Sequence, residues 1–280
     1  MVQFLRDHRC KVRAGCKGEV VSAYISQEQG TNMKSSMIHI GNFLFRYRNQ
    51  AFPILILLLF LASPPPGEIW GSTALEGTLD VIAVLMALSG LALRTTVIGY
   101  AYIKRGGLNK KVYARNLVTE GMFGICRNPL YVGNLLIYTG VFLKHGNPWV
   151  ASIGILSFLF MYQCIVYAEE DYLRNKFGGG YEAYCADVSR WLPRFSNFAK
   201  AVEGMAFNLN RVIGKDYSTI SATLIALVLA EIYEHLAQPA PDQGGTDLLL
   251  LAALIALIGL TTGVVRILKK RGSFAETEAA

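Results

Sequence analysis

The sequence is poor in charged residues and lacks the short patterns that hold metals and nucleotides. Only 17% of its 280 residues are Asp, Glu, Lys or Arg, against about 25% in ordinary soluble domains. None of the five cysteines forms a CxxC pair, and no His/Cys group has zinc-ligand spacing, so free thiols are expected and no metal site is indicated. GxGxxG and GxxxxGK[ST] are both missing, which excludes a Rossmann or P-loop nucleotide site.

The chain instead has apolar residues gathered into blocks. Hydrophobic residues make up 52% of it. A helix of roughly 20 apolar residues crosses the hydrocarbon core of a bilayer, and six blocks approach or reach that length. They cover residues 43–62, 75–103, 130–143, 149–168, 218–236 and 248–268. The pattern predicts an all-α, polytopic membrane helix bundle of about six transmembrane helices, in which the short third block pairs with the fourth as a hairpin.

The formal net charge of +7 does not indicate nucleic-acid binding, because the basic residues lie in alternate loops between the apolar blocks. Basic loops of membrane proteins face the cytosol. Arg46 and Arg48 flank the most apolar part of the first block, which begins at about Ala51, and are interpreted as interfacial anchors. The loop after the second block carries Lys104, Arg105, Lys110, Lys111 and Arg115. We therefore expect an integral, multi-pass protein of a bacterial inner membrane, with both termini in the cytosol.

Composition divides the chain into four parts. Residues 1–42 are polar and predict a flexible N-terminal extension. Residues 43–74 contain the first span and its outer loop, and residues 75–200 form the membrane core. Residues 201–280 add two further spans and a basic tail.

A first polar segment leads into the third apolar block as Arg127-Asn128-Pro129-Leu130-Tyr131-Val132-Gly133. Proline suits the first turn of a helix, and helix N-termini attract anions because their backbone N–H groups are unpaired. Arg127 adds a cation, Asn128 can donate and accept, and Gly133 permits close approach. An interfacial turn with an arginine anchor has the same composition, so this segment alone leaves both interpretations open.

A second polar segment follows the fourth block. Glu169 and Glu170 are adjacent at the end of a predicted membrane helix, where the helix terminus carries partial negative charge. Water around a surface loop would compensate them, and so would a bound cationic cofactor. Arg190 and Arg194 follow in the sequence. Arg94 lies deep in the second block, and a cation within a span usually faces protein or a wet cavity.

Together the two segments resemble the isoprenylcysteine carboxyl methyltransferase and phospholipid methyltransferase superfamily over residues 75–195. The family's Arg-His-Pro-x-Tyr-x-Gly motif is matched by Arg127, Pro129, Tyr131 and Gly133. Its Glu-Glu-x-x-Leu, Phe-Gly-x-x-Tyr-x-x-Tyr and Arg-x-x-Pro stretches are matched by Glu169, Glu170, Leu173, Phe177, Gly178, Tyr181, Tyr184, Arg190 and Pro193. The sequence departs from the family at Asn128, where histidine is usual, and asparagine cannot shuttle a proton near neutral pH.

The resemblance implies S-adenosylmethionine as cofactor, in a pocket on the cytosolic side, and a lipid or lipidated small molecule as methyl acceptor. The implied cofactor site consists of Arg127, Asn128, Tyr131, Gly133, Glu169 and Glu170. An acceptor amine must lose a proton, for which Glu169 or Glu170 is the candidate base. An acceptor carboxylate, as in a prenylcysteine-like acid, would be oriented by arginine. The candidate arginines are Arg94, Arg190 and Arg194.

Two other functions fit the same sequence. Sterol reductases share a related helical architecture and bind NADPH. A non-catalytic membrane scaffold that has kept the fold would explain the asparagine at position 128. In each case the bilayer is the expected surrounding, and neither nucleic acid nor a metal is an expected partner.

Overall fold

The computed structural model describes residues 16–100, 112–114, 116–238 and 244–274. Within these ranges the chain is helical and contains no strand, so the prediction of an all-α membrane bundle is confirmed. The α-helices are α1 (Cys16–Ala62), α2 (Thr73–Tyr100), α3 (Pro129–Lys144), α4 (Pro148–Phe177), α5 (Gly179–Asp187), α6 (Phe198–Ala201), α7 (Leu209–Ala237) and α8 (Gly244–Lys270).

Five of the described helices are long and apolar enough to cross a membrane. They are α1 from Asn32 onward, α2, α4, α7 and α8 from Thr246 onward. The predicted third span is α3, which has 16 residues. At 1.5 Å per residue it is about 24 Å long, whereas the bilayer core is about 30 Å thick. It is short because Pro129 and Pro148 each begin a helix, which restricts α3 to the interval between them.

The orientation of the termini stays a prediction. The basic residues at positions 104–105, 110–111 and 115, on which part of that prediction depends, lie outside the described residues.

Helix α1 begins well before the predicted first span. Residues 16–42, which the sequence predicts to be a flexible extension, are helical and continuous with the span. The physical reason is that no proline occurs between Cys16 and Pro53, so no residue removes a backbone hydrogen bond from this part of the helix. Residues 1–15 lie outside the described ranges, and the other domain boundaries remain predictions.

Helices α2 and α3 cross at backbone contact distance. A Cβ atom built on Gly90 would lie 2.5 Å from the carbonyl oxygen of Gly133, and one built on Gly140 would lie 2.5 Å from the carbonyl oxygen of Ala83. Small residues allow membrane helices to approach this closely. The crossing places Arg94 of α2 against α3, since a Cβ on Gly133 would meet the Arg94 side chain at 2.6 Å.

Aromatic side chains join α1 to α4. The ring of Phe52 lies 5.0 Å from that of Phe158 and 5.6 Å from that of Tyr162, measured between centroids. Tyr138 of α3 completes the group at 4.1 Å from Phe158. Edge-on and tilted ring pairs at these distances are favourable, so α1, α3 and α4 share one buried core.

A buried ammonium group fixes the C-terminal end of α3. The Nζ atom of Lys144 lies 2.8 Å from carboxylate oxygens of both Glu231 and Glu234 on α7, and it donates to Asp80 on α2. Glu76, Asp80 and Glu234 carry oxygens within 4.8 Å of one another, and Lys144 supplies the positive charge among them. Helices α2, α3 and α7 are therefore joined by charge at this end.

The crossing of α2 and α3 gives a stability prediction. In Gly140→Val the added side chain would meet the α2 backbone, and overpacking of this kind costs about 1–3 kcal/mol. We expect the midpoint of thermal unfolding in detergent to fall by several degrees. Gly259→Val on α8 is the matched control, because a Cβ there meets no atom within 4 Å. Equal midpoints for the two variants would contradict the proposed packing.

Candidate functional site

A cavity of about 870 Å³ opens between the described helices at the N-terminal end of α3. This volume lies in the range of small-molecule and cofactor sites, roughly 300–1,000 Å³. Its walls come from α1, the C-terminal halves of α2 and α4, the start of α3, α5, and the first part of α7. Several of its lining residues are charged, including Arg48, Arg94, Arg127, Glu169 and Glu170.

Glu170 is the most heavily bonded carboxylate of the cavity wall. Both of its oxygens accept hydrogen bonds from Arg190, each at 2.8 Å, and Nη1 of Arg127 lies 3.3 Å from Oε1. The Glu170 side chain is 6% exposed, and a buried carboxylate requires such partners because its desolvation is costly. The two-pronged bond also raises the pKa of Arg190 above its usual value.

Backbone contacts hold the two polar segments side by side. The Arg127 amide donates to the Ser189 carbonyl at 2.9 Å, and the Arg194 amide donates to the Ile125 carbonyl at 3.1 Å. The side chain of Asn128 donates to the Arg190 carbonyl at 3.1 Å. Two motifs that are separated by some sixty residues in the sequence therefore form one wall of the cavity.

Glu169 is bound separately from its neighbour. Its Oε1 accepts a hydrogen bond from the Tyr131 hydroxyl at 2.6 Å. Arg48 of α1 also lines the cavity and is close enough to interact electrostatically with both groups. The sequence interpretation of Arg48 as an interfacial anchor missed this position, because no sequence signal separates Arg48 from the exposed Arg46 two residues earlier.

Arg94 is paired with a residue that the sequence did not single out. Its Nε donates to Oδ2 of Asp216 at 3.1 Å, and its Nη2 donates to Oδ1 of the same carboxylate. Asp216 lies on α7 and is fully buried. Asp216 and Arg94 are 122 residues apart in the sequence, so no local sequence pattern predicts that they pair.

One donor of the site has no partner within the described residues. The Nε atom of Arg127 is buried and makes no hydrogen bond, although Nη1 of the same side chain contacts Glu170 and the Cys185 sulfur. Buried polar groups are almost always bonded. An unpaired guanidinium N–H beside a cavity is therefore suited to an oxygen acceptor on a ligand.

Some of the predicted site residues line the cavity and others do not. Arg94, Arg127, Asn128, Tyr131, Glu169 and Glu170 line it. Arg190 reaches it through Glu170. Gly133 instead faces Gly90 and Arg94 at the helix crossing, so its role is to let α3 approach α2. The Arg194 side chain is exposed to solvent, and only its backbone joins the wall.

Tyr162 of α4 both packs against neighbouring aromatic rings and lines the cavity. It is 2% exposed, and its ring lies 5.2 Å from that of Tyr131. A tyrosine in a membrane helix gives no sequence signal that distinguishes these two positions, so only the packing reveals it.

Burial affects the thiol at the edge of the site. Burial raises the pKa of Cys126, and its sulfur lies 3.6 Å and 3.5 Å from the carbonyl oxygens of Arg190 and Trp191. Cys126, Cys164 and Cys185 are all free. The predicted free thiols are confirmed at these three positions, while Cys10 lies outside the described residues.

Labelling of Cys126 tests this environment. A raised pKa keeps the thiol protonated, and the thiolate is the reactive form. At about pH 8, near the ordinary cysteine value, we expect Cys126 of the native protein to resist N-ethylmaleimide, as measured by peptide mass spectrometry. The same peptide from protein unfolded in detergent and heat should be fully labelled. Equal labelling rates in the two states would refute the buried thiol.

Comparison with known proteins identifies the part of the chain that forms this site. Residues 78–180 match the phospholipid methyltransferase family model. The cobalt-zinc-cadmium resistance protein CzcN of Cupriavidus metallidurans is 27% identical over 56% of this chain and 68% of its own length. The nickel-cobalt-cadmium resistance protein NccN of Alcaligenes xylosoxydans xylosoxydans is 24% identical over 57% and 70%.

No solved structure gives a significant match to the chain. The matched segment contains Arg94, Arg127, Tyr131, Glu169 and Glu170, whereas α7 and α8 lie beyond it. Residues 78–180 thus resemble the phospholipid methyltransferase family, consistent with the superfamily of isoprenylcysteine and phospholipid methyltransferases that the two motifs indicated.

Proposed function

We propose that this chain is an S-adenosylmethionine-dependent methyltransferase of the membrane that transfers a methyl group to a lipophilic acceptor. The observation that carries the proposal is the buried, unpaired Nε of Arg127, a residue that lines the cavity and belongs to the segment that matches the methyltransferase family. The family match supports the reaction class, and the cavity supports a cofactor-sized ligand.

The residues present fit this cofactor. Its carboxylate would accept from the free N–H of Arg127, and its ammonium and ribose hydroxyls would find acceptors in Asn128 and the carboxylate of Glu169 or Glu170. Helix α3 begins at Pro129, and the backbone N–H groups of a helix N-terminus favour an anion. The bound cofactor supplies an electrophilic methyl group on a sulfonium.

The protein's contribution to such a displacement is positioning and the exclusion of water. The paired arginines on Glu170 keep the cavity wall in place. Glu169 has fewer partners, because Tyr131 supplies one hydrogen bond and Arg48 faces it from α1. Glu169 is therefore the better candidate to take a proton from an acceptor amine or hydroxyl, while Glu170 is occupied by its two arginines.

The role of Asn128 is consistent with these assignments of Glu169 and Glu170. Its side-chain amide donates to the Arg190 carbonyl and so helps to join the two motifs. A histidine at this position could make the same bond, and the proton transfer that asparagine cannot perform falls to Glu169.

Cofactor binding by the purified full-length protein tests the proposal. We expect saturable binding of S-adenosylmethionine by isothermal titration calorimetry, with Arg127→Ala and Glu170→Gln each about tenfold weaker. A tenfold change corresponds to about 1.4 kcal/mol, which is in the range for a hydrogen bond to a charged group, about 1.5–3 kcal/mol.

Arg194→Ala is the matched control, since that side chain is exposed and lies outside the cavity. It should bind like the wild type. NADPH serves as the second ligand: binding of NADPH alone would indicate a reductase instead, and binding of neither ligand by folded protein would indicate a scaffold.

A further inference from the structure

Helix α7 supplies one end of the cavity, although it lies beyond the methyltransferase domain. Ser218, Thr219 and Ala222 line the cavity from α7. Asn49, Phe52 and Pro53 of α1 line the same cavity, and Thr219 contacts Arg94 of α2. The matched segment therefore does not supply the whole wall of the cavity.

Arg94 is the cation at this end, and its hydrogen-bonding capacity is almost fully used. Asp216 takes the two-pronged face formed by Nε and Nη2. Nη1 donates to Oδ1 of Asn134 at 2.6 Å, and Nη2 lies 3.4 Å from Oγ1 of Thr219. Of the five N–H groups of a guanidinium, four are accounted for. The face that would grip a carboxylate is already occupied by one.

The pair is fixed by its surroundings. Arg94 is 5% exposed and Asp216 is 0% exposed, both on membrane-spanning helices. Breaking such a pair leaves an uncompensated buried charge, which costs about 3–5 kcal/mol. An acceptor carboxylate could bind this face of Arg94 only by displacing Asp216. Asp216 would then be a buried, unpaired charge, so the exchange would give no net gain in binding free energy.

Arg94 instead orients neutral donors toward the cavity. Because the Oδ1 atom of Asn134 accepts from Arg94, the Nδ2 donors of the same amide point away from the guanidinium. The Thr219 hydroxyl accepts from Arg94 and retains its own hydrogen for donation. Asn134 and Thr219 both line the cavity, so they can bind an uncharged oxygen or nitrogen.

We propose that α7 completes the acceptor site of this enzyme, and that Asp216 holds Arg94 so that the site takes a lipophilic molecule with an uncharged hydroxyl or amino end and discriminates against a carboxylate. This inference rests on the proposed methyltransferase function and specifies its substrate class. Asp216 is a positioning residue, because it acts through Arg94.

The reaction balances with the groups named. A lone pair of the acceptor oxygen or nitrogen forms the new bond to the methyl carbon while the carbon–sulfur bond of the sulfonium breaks. The sulfur keeps the bonding electrons and leaves as a neutral thioether. The proton of the acceptor passes to the carboxylate of Glu169, which lines the same cavity.

Binding of matched probes tests the proposal. Dodecanol and dodecanoate have the same chain length and differ only in their polar end, which is an uncharged hydroxyl in one and a carboxylate in the other. We would measure their binding to the full-length protein in nanodiscs by native mass spectrometry, with S-adenosylhomocysteine present. Dodecanol should bind roughly tenfold more tightly than dodecanoate, a difference of about 1.4 kcal/mol. Dodecanoate binding as tightly as dodecanol would overturn the proposal.

Asp216→Asn should abolish this preference. Removing the carboxylate frees the two-pronged face of Arg94, and charge-assisted bidentate bonds are among the strong ones, so the affinity for dodecanoate should rise about tenfold. Asp187→Asn, at an exposed position on α5, is the matched control and should leave the binding of both probes unchanged. A folded Asp216→Asn protein with unchanged dodecanoate affinity would overturn the role of Asp216.

Thr219→Val decides the question if Asp216→Asn does not fold, because it is isosteric and leaves the ion pair intact. It should weaken dodecanol binding severalfold and leave dodecanoate binding unaltered, whereas no change for dodecanol would reject the acceptor site on α7. S-adenosylmethionine binding is measured on every preparation. Its absence in the wild type overturns the proposed function, while its presence with a preference for dodecanoate overturns this inference alone.

Discussion

The bonding of Glu170 to Arg127 and Arg190 is the interaction on which the cavity depends. Glu170 lies in the last third of α4, about two turns before the helix ends at Phe177, and its burial makes its charge costly unless it is paired. Its two partners come from the turn before α3 and from the segment after α5. The ion pairs of this one buried carboxylate therefore hold both chain segments in place. They also hold Arg127, with its unpaired Nε, at the cavity wall.

The same principle joins α7 to α2 and α3, which lie in the segment that matches the methyltransferase family, at two positions along the helices. Asp216 pairs with Arg94 near the cavity, and Glu231 and Glu234 bind Lys144 at the opposite end of α3. Buried ion pairs add little net stability but strongly specify which groups meet, because a mismatched partner leaves a charge unpaired. Helix α7 is thus held in one register against α2 and α3, which the close contact of Gly90 with Gly133 already locks together. Helix α7 lies outside the matched segment and nevertheless lines the cavity.

Much of the candidate site could be predicted from local sequence, and the errors have physical causes. Arg127, Asn128, Tyr131, Glu169 and Glu170 lie in two short motifs, and the resemblance of those motifs to a family pattern was what grouped them. Gly133 belongs to the same motif but faces a neighbouring helix, because a glycine serves ligand approach and helix approach equally well. Arg194 was grouped with Arg190 by its position in the sequence, yet the chain turns its side chain to solvent. Arg48 was set aside because a cation beside a span is usually an anchor.

The sequence by itself determined that this protein resides in a lipid bilayer and that its fold is helical. Long blocks of apolar residues indicate membrane-spanning helices, because a helix bonds all of its backbone polar groups within its own segment and hydrocarbon offers no other partners. The two motifs, which are local, also determined one wall of the site. The tertiary structure alone decided what completes it: the partner of Arg94 lies 122 residues away, and the hydroxyls of α7 reach the cavity only through the packing of α7 on α2 and α3. Pairings of that kind depend on which helices are neighbours. A helix that is apolar on all sides gives little indication in its sequence of which face packs against which neighbour.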